Sequence, residues 1–185
     1  MLKTNQTAAE YIIRSLKKDK NKIDYIHPEN KIENGYIIVN YRKREMEKRL
    51  LMDGRMQMTI PKDWYLKEQR GSGKFLYGSP YEKEILLCEV REGEKYKTIE
   101  REVTEILQRE HFTILEQKTL FNKQQHPFRC ISLTDNKERY MVLFECSITS
   151  KVIKGVFMMH YFRKKVWDKV IEQMLEHARI EEVNE

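Results

Sequence analysis

The sequence predicts an α+β fold in which one antiparallel β-sheet of about six to seven strands is flanked by helices on both faces. The first observation is the run 151–162, in which Val156 and Met158 point to one side while Ile153 and Phe157 point to the other. A strand that is apolar on both faces is covered on both sides, so this strand belongs in the middle of its sheet. The second observation is the segment that follows, because its apolar residues recur with the 3.6-residue period of a helix. These residues are Val166, Trp167, Val170, Ile171, Met174, Leu175 and Ala178.

Three segments divide the chain. Residues 1–35 are predicted to form a helix capped by Thr7, over Ala8–Lys18, and a polar linker. Residues 36–180 are predicted to form a single domain, and residues 181–185 a frayed acidic tail. The domain opens with a strand-like run at 36–41 and a hairpin, because Asp53-Gly54 between two strand-like runs favours a type I′ turn.

The rest of the domain alternates strand and helix signals. Pro61 ends the hairpin, and a helical turn is expected at 62–66. An amphipathic helix from about Thr98 to Glu110 separates two groups of strands. The strands after it are joined by short turns, one of them at Thr149–Ser150, so they form an antiparallel meander. The predicted strands on either side of this helix are 75–77, 85–90, 112–121, 128–133, 139–149 and 151–162.

Composition restricts the class of protein. The chain has 185 residues, of which 40% are hydrophobic and 35% charged, which fits one domain with a sizeable core. No apolar run is long enough to span a bilayer, and the first residues lack the apolar core of a secretory signal. Cys88, Cys130 and Cys146 lie in strand-like apolar runs and are expected to be buried reduced thiols. We therefore expect a cytoplasmic protein without contact with membranes.

Searches for catalytic and cofactor-binding motifs favour a protein that is not an enzyme. Gly71–Lys74 suggests a phosphate-binding loop, but Glu68 and Phe75 occupy the positions that need Gly and Ser or Thr. The five histidines show no metal-binding spacing. Cys130, near Arg129 and His126, is the cysteine with the best surroundings for a nucleophile, yet a packing role is favoured there too. We expect no catalytic residue, no metal and no cofactor.

Two passages carry a resemblance to a known fold. They are the step "RMQMTIPKDW" at 55–64 and the closing strand and helix, with Gly155-Val156-Phe157 and Trp167. Together with the element order over 36–180, they resemble the fold shared by PsbP, an extrinsic subunit of the oxygen-evolving complex, and the Mog-type Ran-binding proteins. DcrB-like bacterial proteins and small chaperones of secreted toxins are relatives of that fold. The resemblance implies a non-catalytic scaffold that binds other proteins, with no functional residue that can be carried over.

The leading hypothesis is a protein-binding module, such as a chaperone or adaptor for another bacterial protein, for example a secreted effector, and a homodimer. Methionine adapts to varied apolar partners, so a methionine-rich sheet face is the candidate surface, although packing inside the core is the more common role. The candidate protein-binding residues are Met56, Met58, Met141, Met158 and Met159.

The alternative hypothesis is nucleic-acid binding. Nearly all of the net charge of +6 comes from the first 60 residues. A basic segment of this kind permits contacts with phosphates, but no aromatic residues interleave with it as in many nucleic-acid-binding motifs. The candidate phosphate-binding residues are Arg42, Lys43, Arg44, Lys48 and Arg49.

Overall fold

The computed structural model describes residues 27–39, 41–70, 73–80, 84–92, 98–135, 138–148 and 151–181. The predicted helix Ala8–Lys18 and residues 182–185 of the predicted tail lie outside these ranges. Within the described ranges the chain forms two antiparallel sheets and two α-helices.

The larger sheet has seven strands, in the spatial order β4-β5-β6-β10-β9-β8-β7, and every neighbouring pair is antiparallel. The predicted antiparallel pairing is confirmed, as is the central position of the strand that is apolar on both faces. Its strands are β4 Tyr65–Arg70, β5 Lys74–Gly78, β6 Ile85–Glu92, β7 Phe112–Phe121, β8 Pro127–Asp135, β9 Arg139–Ile148 and β10 Lys151–His160. Helix α1, Ile99–Arg109, precedes β7, and helix α2, Lys164–Glu176, follows β10.

The expectation of a single sheet is wrong, because the predicted hairpin belongs to a second sheet of four strands. Its order is β1-β2-β3-β11, where β1 is Tyr36–Val39, β2 Arg42–Leu51, β3 Met56–Pro61 and β11 Arg179–Ile180. Pro61 ends β3, and the short turn after it redirects the chain into β4. The helical turn expected at 62–66 is therefore also wrong. Strand β4 was missed because its sequence, YLKEQR, is mostly polar, as an edge strand can be.

The turn between β2 and β3 has four residues and not two. Met52, Asp53 and Gly54 all have positive φ angles, of 54°, 55° and 84°. The Met52 side chain is fully buried, and its backbone N–H donates a hydrogen bond of 3.0 Å to the Tyr77 hydroxyl on β5. The turn is thus held by a contact between the two sheets, which the local dipeptide signal does not encode.

Side chains of the seven-stranded sheet enter two separate apolar clusters. Along β9, Val142 and Phe144 belong to a large cluster that also contains the inner side of the four-stranded sheet and the apolar residues of α2. Met141 and Leu143 belong to a smaller cluster with the apolar residues of α1. Successive residues of a strand point to opposite faces, so the two clusters lie on opposite sides of β9.

Polar anchors attach α2 to the sheet. The Tyr140 hydroxyl donates a hydrogen bond to Asp168, and Lys164 lies 2.8 Å from the same carboxylate. Burial by itself raises the pKa of Asp168, but the hydrogen bonds from Lys164 and Tyr140 outweigh it and hold that pKa below its ordinary value. Lys118 on β7 pairs with Glu172 in the same way, and the pKa of Glu172 is also lowered.

The described part of the predicted linker is packed against the domain. The Asn30 side chain bonds both backbone groups of Ile38, and the Ile32 N–H donates to the Gln173 side chain on α2 at 2.9 Å. Ile32 is buried in the larger cluster. Residues 30–35 therefore form part of the folded unit.

Among the described residues, the structure contains no helix that is both long enough and apolar enough to cross a membrane.

Candidate functional site

A groove lies between α1 and the neighbouring surface of the seven-stranded sheet, and we call it the α1 groove. Its volume is about 710 Å³, which is within the usual range of ligand-binding pockets. The floor is apolar and consists of Leu87 on β6, Met141 and Leu143 on β9, and Val156 on β10. The walls are charged, with Glu102, Glu105 and Arg109 on the helix, Glu110 directly after it, and Lys74, Glu89 and Arg91 at the strand end.

The strand register explains why the floor is apolar. Leu76, Leu87, Val156 and Leu143 are consecutive partners across β5, β6, β10 and β9, so they form a row perpendicular to the strands. Helix α1 contacts β7, β8 and β9 and leaves the β5 and β6 end of this row open. Leu87 is 38% exposed for that reason. An exposed aliphatic side chain thus lies in the uncovered part of an apolar row.

A row of alternating charge runs beside the apolar row. The register pairs Lys74 with Glu89, Glu89 with Lys154, Lys154 with Glu145, and Glu145 with Arg129. Lys74 lies 3.5 Å from Glu89, Lys154 lies 3.7 Å from Glu145, and Arg129 lies 3.5 Å from Glu145. Positive and negative side chains therefore alternate across five strands on the side of the sheet that faces α1.

The middle of this charge row is buried and holds the start of α1. Glu145 and Lys154 are only 2% and 4% exposed. Glu145 accepts a hydrogen bond of 2.9 Å from the Ile99 N–H in the first turn of α1, where a negative charge is favourable. Lys154 donates at 2.9 Å to Glu102, one turn further along the helix. Buried charges need such partners, so the row fixes the position of α1 and with it one wall of the groove.

The charge row was not predicted, although the sequence contains a signal for it. The predicted turn at Thr149–Ser150 places Lys154 opposite Glu145, since each lies four residues from the turn. The register of β8 and β9 likewise places Arg129 opposite Glu145. Arg129, Glu145 and Lys154 thus face side chains of opposite charge on strands whose other residues are mostly apolar. This pattern predicts a buried row of ion pairs.

The structure divides the five candidate methionines between the two clusters. Met56, Met58 and Met159 lie in the large cluster and are at most 2% exposed. Met141 and Met158 face each other across β9 and β10 in the smaller cluster, and Met141 lines the α1 groove. The five residues therefore do not share one face of the sheet, and Met141 is the one among them that lines the α1 groove.

The candidate phosphate-binding residues all lie on β2, but two of them have partners within the fold. Arg44 is bidentate to Asp63, at 3.1 and 3.0 Å, and also pairs with Glu84 at 2.5 Å. Arg49 pairs with Glu47 and donates to the carbonyls of residues 62 and 64. Arg42, Lys43 and Lys48 are exposed, with Lys43 over the Tyr36 ring.

The three cysteines are free and buried. Burial raises the pKa of Cys130 and of Cys146 to about 12 each, and it raises the pKa of Cys88 as well. A thiol with so high a pKa is almost entirely protonated at neutral pH and is a poor nucleophile. Within the described ranges, no group of three or more His, Cys, Asp or Glu side chains is placed to bind a metal ion.

Comparison with protein-family models and with curated proteins finds no match for this chain. Solved structures do match. The cyanobacterial PsbP protein CyanoP from Synechocystis sp. PCC 6803 aligns with a TM-score of 0.58 at 11% identity, covering 78% of this chain and 98% of CyanoP. The Ran-binding protein Mog1p of Saccharomyces cerevisiae aligns with a TM-score of 0.51 at 9% identity, covering 74% of this chain and 96% of Mog1p.

The chain has the PsbP/Mog-like fold. The resemblance predicted from the sequence is confirmed at this level. Identities near 10% establish the fold alone, so the function has to be argued from the α1 groove and its residues.

Proposed function

We propose that the protein is a non-catalytic protein-binding module, acting as a chaperone or adaptor for another bacterial protein, such as a secreted effector. The observation that carries this proposal is the α1 groove, whose apolar floor is open at Leu87 and whose rim carries charges of both signs. Mog1p, which shares this fold, is a Ran-binding protein, and this supports protein recognition as a role of the fold. Cytoplasmic location remains part of the proposal, supported by three free and buried thiols.

The groove indicates the chemistry of the partner. Leu87 and Val156 offer an aliphatic floor to an apolar stripe, while Glu105 on one wall and Arg91 on the other offer charges of opposite sign. An amphipathic segment fits this arrangement if its apolar side faces the floor. Its basic side then faces Glu105 on the helix, and its acidic side faces Arg91 on the strands. Burial of the remaining exposed surface of one leucine contributes roughly 1 kcal/mol, and several such contacts are needed for stable binding.

The groove also depends on how the layers are arranged. We propose that α1 and α2 cover opposite faces of the seven-stranded sheet, which the division of β9 side chains between the two clusters supports. In this arrangement α2 closes one face together with the four-stranded sheet, and the other face retains the opening.

A pull-down experiment with matched variants tests the proposal. Leu87→Glu places a charge on the groove floor, and Leu50→Glu makes the same change at a leucine that is 61% exposed on β2. We expect the wild-type chain and Leu50→Glu to retain the same partner, and Leu87→Glu to retain at least tenfold less of it. Circular dichroism should show that both variants are folded. Equal retention by Leu87→Glu, or the lack of any reproducible partner, would contradict the proposal.

A photo-crosslinking residue refines this test. Placed at Leu87 it should crosslink to the partner identified in the pull-down, whereas at Gln108, on the exposed outer side of α1, it should not. Crosslinking of equal strength at both positions would mean that the partner does not occupy the groove.

The nucleic-acid alternative rests on the three exposed residues Arg42, Lys43 and Lys48. Three phosphate contacts predict a weak complex whose affinity falls only moderately with salt. Titration with DNA or RNA at low and moderate salt distinguishes this function from the leading proposal, since groove binding depends mainly on apolar contacts.

A further inference from the structure

Strand β7 forms one outer edge of the seven-stranded sheet. It is ten residues long, and within the described chain no strand pairs with its outer side. Three large apolar side chains on it are exposed, namely Ile114 at 41%, Leu115 at 40% and Phe121 at 57%. A long apolar edge of this kind is a template for pairing with another strand, and proteins usually shorten or protect such edges.

The edges of the four-stranded sheet follow that usual pattern. Strand β1 has four residues and β11 has two, so neither offers a long row of unpaired backbone groups. On β7 the charge of Lys118 is partly balanced by Glu172 on α2 and by Glu116, which lies 2.8 Å away, so Lys118 protects the edge less than an unpaired lysine would. The length and exposed apolar residues of β7 therefore indicate an interaction edge.

We propose that β7 pairs antiparallel with β7 of a second copy of this chain, which joins two seven-stranded sheets into one. The argument is the self-complementarity of the strand around Gln117. With Gln117 on the two-fold axis, Glu116 faces Lys118 of the second copy, and Lys118 faces Glu116 of the second copy. Opposite charges that directly face each other stabilise an antiparallel pair, whereas a one-residue shift of register places Lys118 against Gln117.

The bulge in β7 is consistent with this register. Leu115 is an extra residue on β7, because Ile114 pairs with Leu133 while Glu116 pairs with the adjacent Ser132. If Leu115 is also extra in the dimer, Ile114 faces Thr119 of the second copy.

The ends of the strand then match as well. Phe112 faces Phe121 of the second copy, and Thr113 faces Leu120. The register with β8 places the two members of each pair on the same face of the sheet. The exposed Phe121 thereby gains an aromatic neighbour.

Charge variants at Gln117 test this proposal in the full chain. Gln117 is exposed, so its replacement leaves the core intact. We expect the wild type to be a dimer by sedimentation or light scattering, and both Gln117→Lys and Gln117→Glu to raise its dissociation constant roughly tenfold by placing like charges on the axis. A mixture of the two variants should form a heterodimer at least as stable as the wild-type dimer. A monomeric wild type, or a dimer that both variants leave unchanged, would overturn the proposal.

A cysteine variant gives an independent test, with the other edge of the sheet as control. Residues that face each other across an antiparallel pair have Cα atoms about 4.5–5.5 Å apart, which a disulfide can bridge. Gln117→Cys should therefore crosslink rapidly on mild oxidation, whereas Gln69→Cys on the exposed edge strand β4 should not. The native cysteines are buried and do not compete. Faster crosslinking through residue 69 would overturn the proposal without affecting the α1 groove.

Discussion

Replacement of Gly155 by alanine is a sharp test of the packing around the middle of β10. A Cβ atom at this position would lie 2.3 and 2.6 Å from two ring carbons of Phe144 and 2.9 Å from the Leu87 carbonyl oxygen. Ordinary contacts between carbon atoms are about 3.5–4.0 Å, so the ring would have to move by more than about 1 Å. Phe144 is 1% exposed and packs against Phe128 and Phe157, with ring centroids 6.1 and 5.5 Å away, so it has no free space to enter.

The size of the effect follows from two opposing terms. Overpacking of a core costs about 1–3 kcal/mol, whereas removal of a glycine from a strand gains roughly 0.5–1 kcal/mol. The short contacts with the Phe144 ring place this site at the upper end of the first range, so we expect Gly155→Ala to lower the free energy of unfolding by about 2 kcal/mol. Urea denaturation should show a lower midpoint with an unchanged slope.

A double-mutant cycle identifies the cause. Phe144→Leu removes the ring, so in that background Gly155→Ala should lose most of its cost, and the remainder reports the contact with the Leu87 carbonyl. If Gly155→Ala is as stable as the wild type, or costs the same in both backgrounds, the ring does not lie across Gly155 and the argument fails.

Three further predictions concern charges and thiols. Lys154→Met removes a buried partner of Glu145 and should lower the free energy of unfolding by about 3–5 kcal/mol. Lys74→Met, at the exposed end of the same row, should lower it by less than about 1 kcal/mol. Equal losses for the two variants in urea denaturation would contradict the role of the charge row. The pKa of Asp168 is lower in the folded than in the unfolded chain, so its stabilisation is complete above the ordinary carboxyl pKa near 3.9 and is lost as the pH falls through the lower folded value. Asp168→Asn should therefore reduce the loss of stability between about pH 4 and pH 2, and an unchanged pH profile would show that this carboxylate is not coupled to folding. A thiol reagent should leave all three cysteines unmodified in the native protein and modify all three in denaturant, and a rapidly reacting native thiol would contradict their burial.

The closing strand and helix could be predicted because their signals are local and strong. A run that is apolar on both faces has few alternatives to a central strand, and the stripe around Trp167 has a helical period. Trp167 is fully buried and stacks on Trp64 with ring centroids 5.7 Å apart. The "IPKDW" step and the closing helix thus belong together in the fold, because each contributes one tryptophan to this stacked pair.

The second sheet could not be predicted in the same way, because long-range contacts determine it. Strand β11 has two residues and pairs with Met56 and Gln57, more than a hundred positions earlier in the chain. The turn with positive φ angles at Met52 and Asp53 carries a hydrogen bond from the Met52 N–H to the Tyr77 hydroxyl on the other sheet, a contact that local propensity does not contain. The hairpin of β2 and β3 was recognised, whereas β4 and β11 were missed, and nothing local assigns β2 and β3 to one sheet and β4 to another.

The candidate site shows a different relation between sequence and structure. Methionine content pointed to a sheet face, yet adaptable side chains are also good at filling irregular cores, and three of the five are enclosed. The sequence signal for the groove lies in buried charge, because a lysine and a glutamate such as Lys154 and Glu145 are costly inside a protein unless they are paired and hydrogen-bonded. Here they hold the first turn of α1, and α1 forms one wall of the groove. These ionic contacts act together with the apolar cluster that α1 shares with Met141 and Leu143, and the two sets of contacts place the helix over β7, β8 and β9 so that Leu87 stays uncovered.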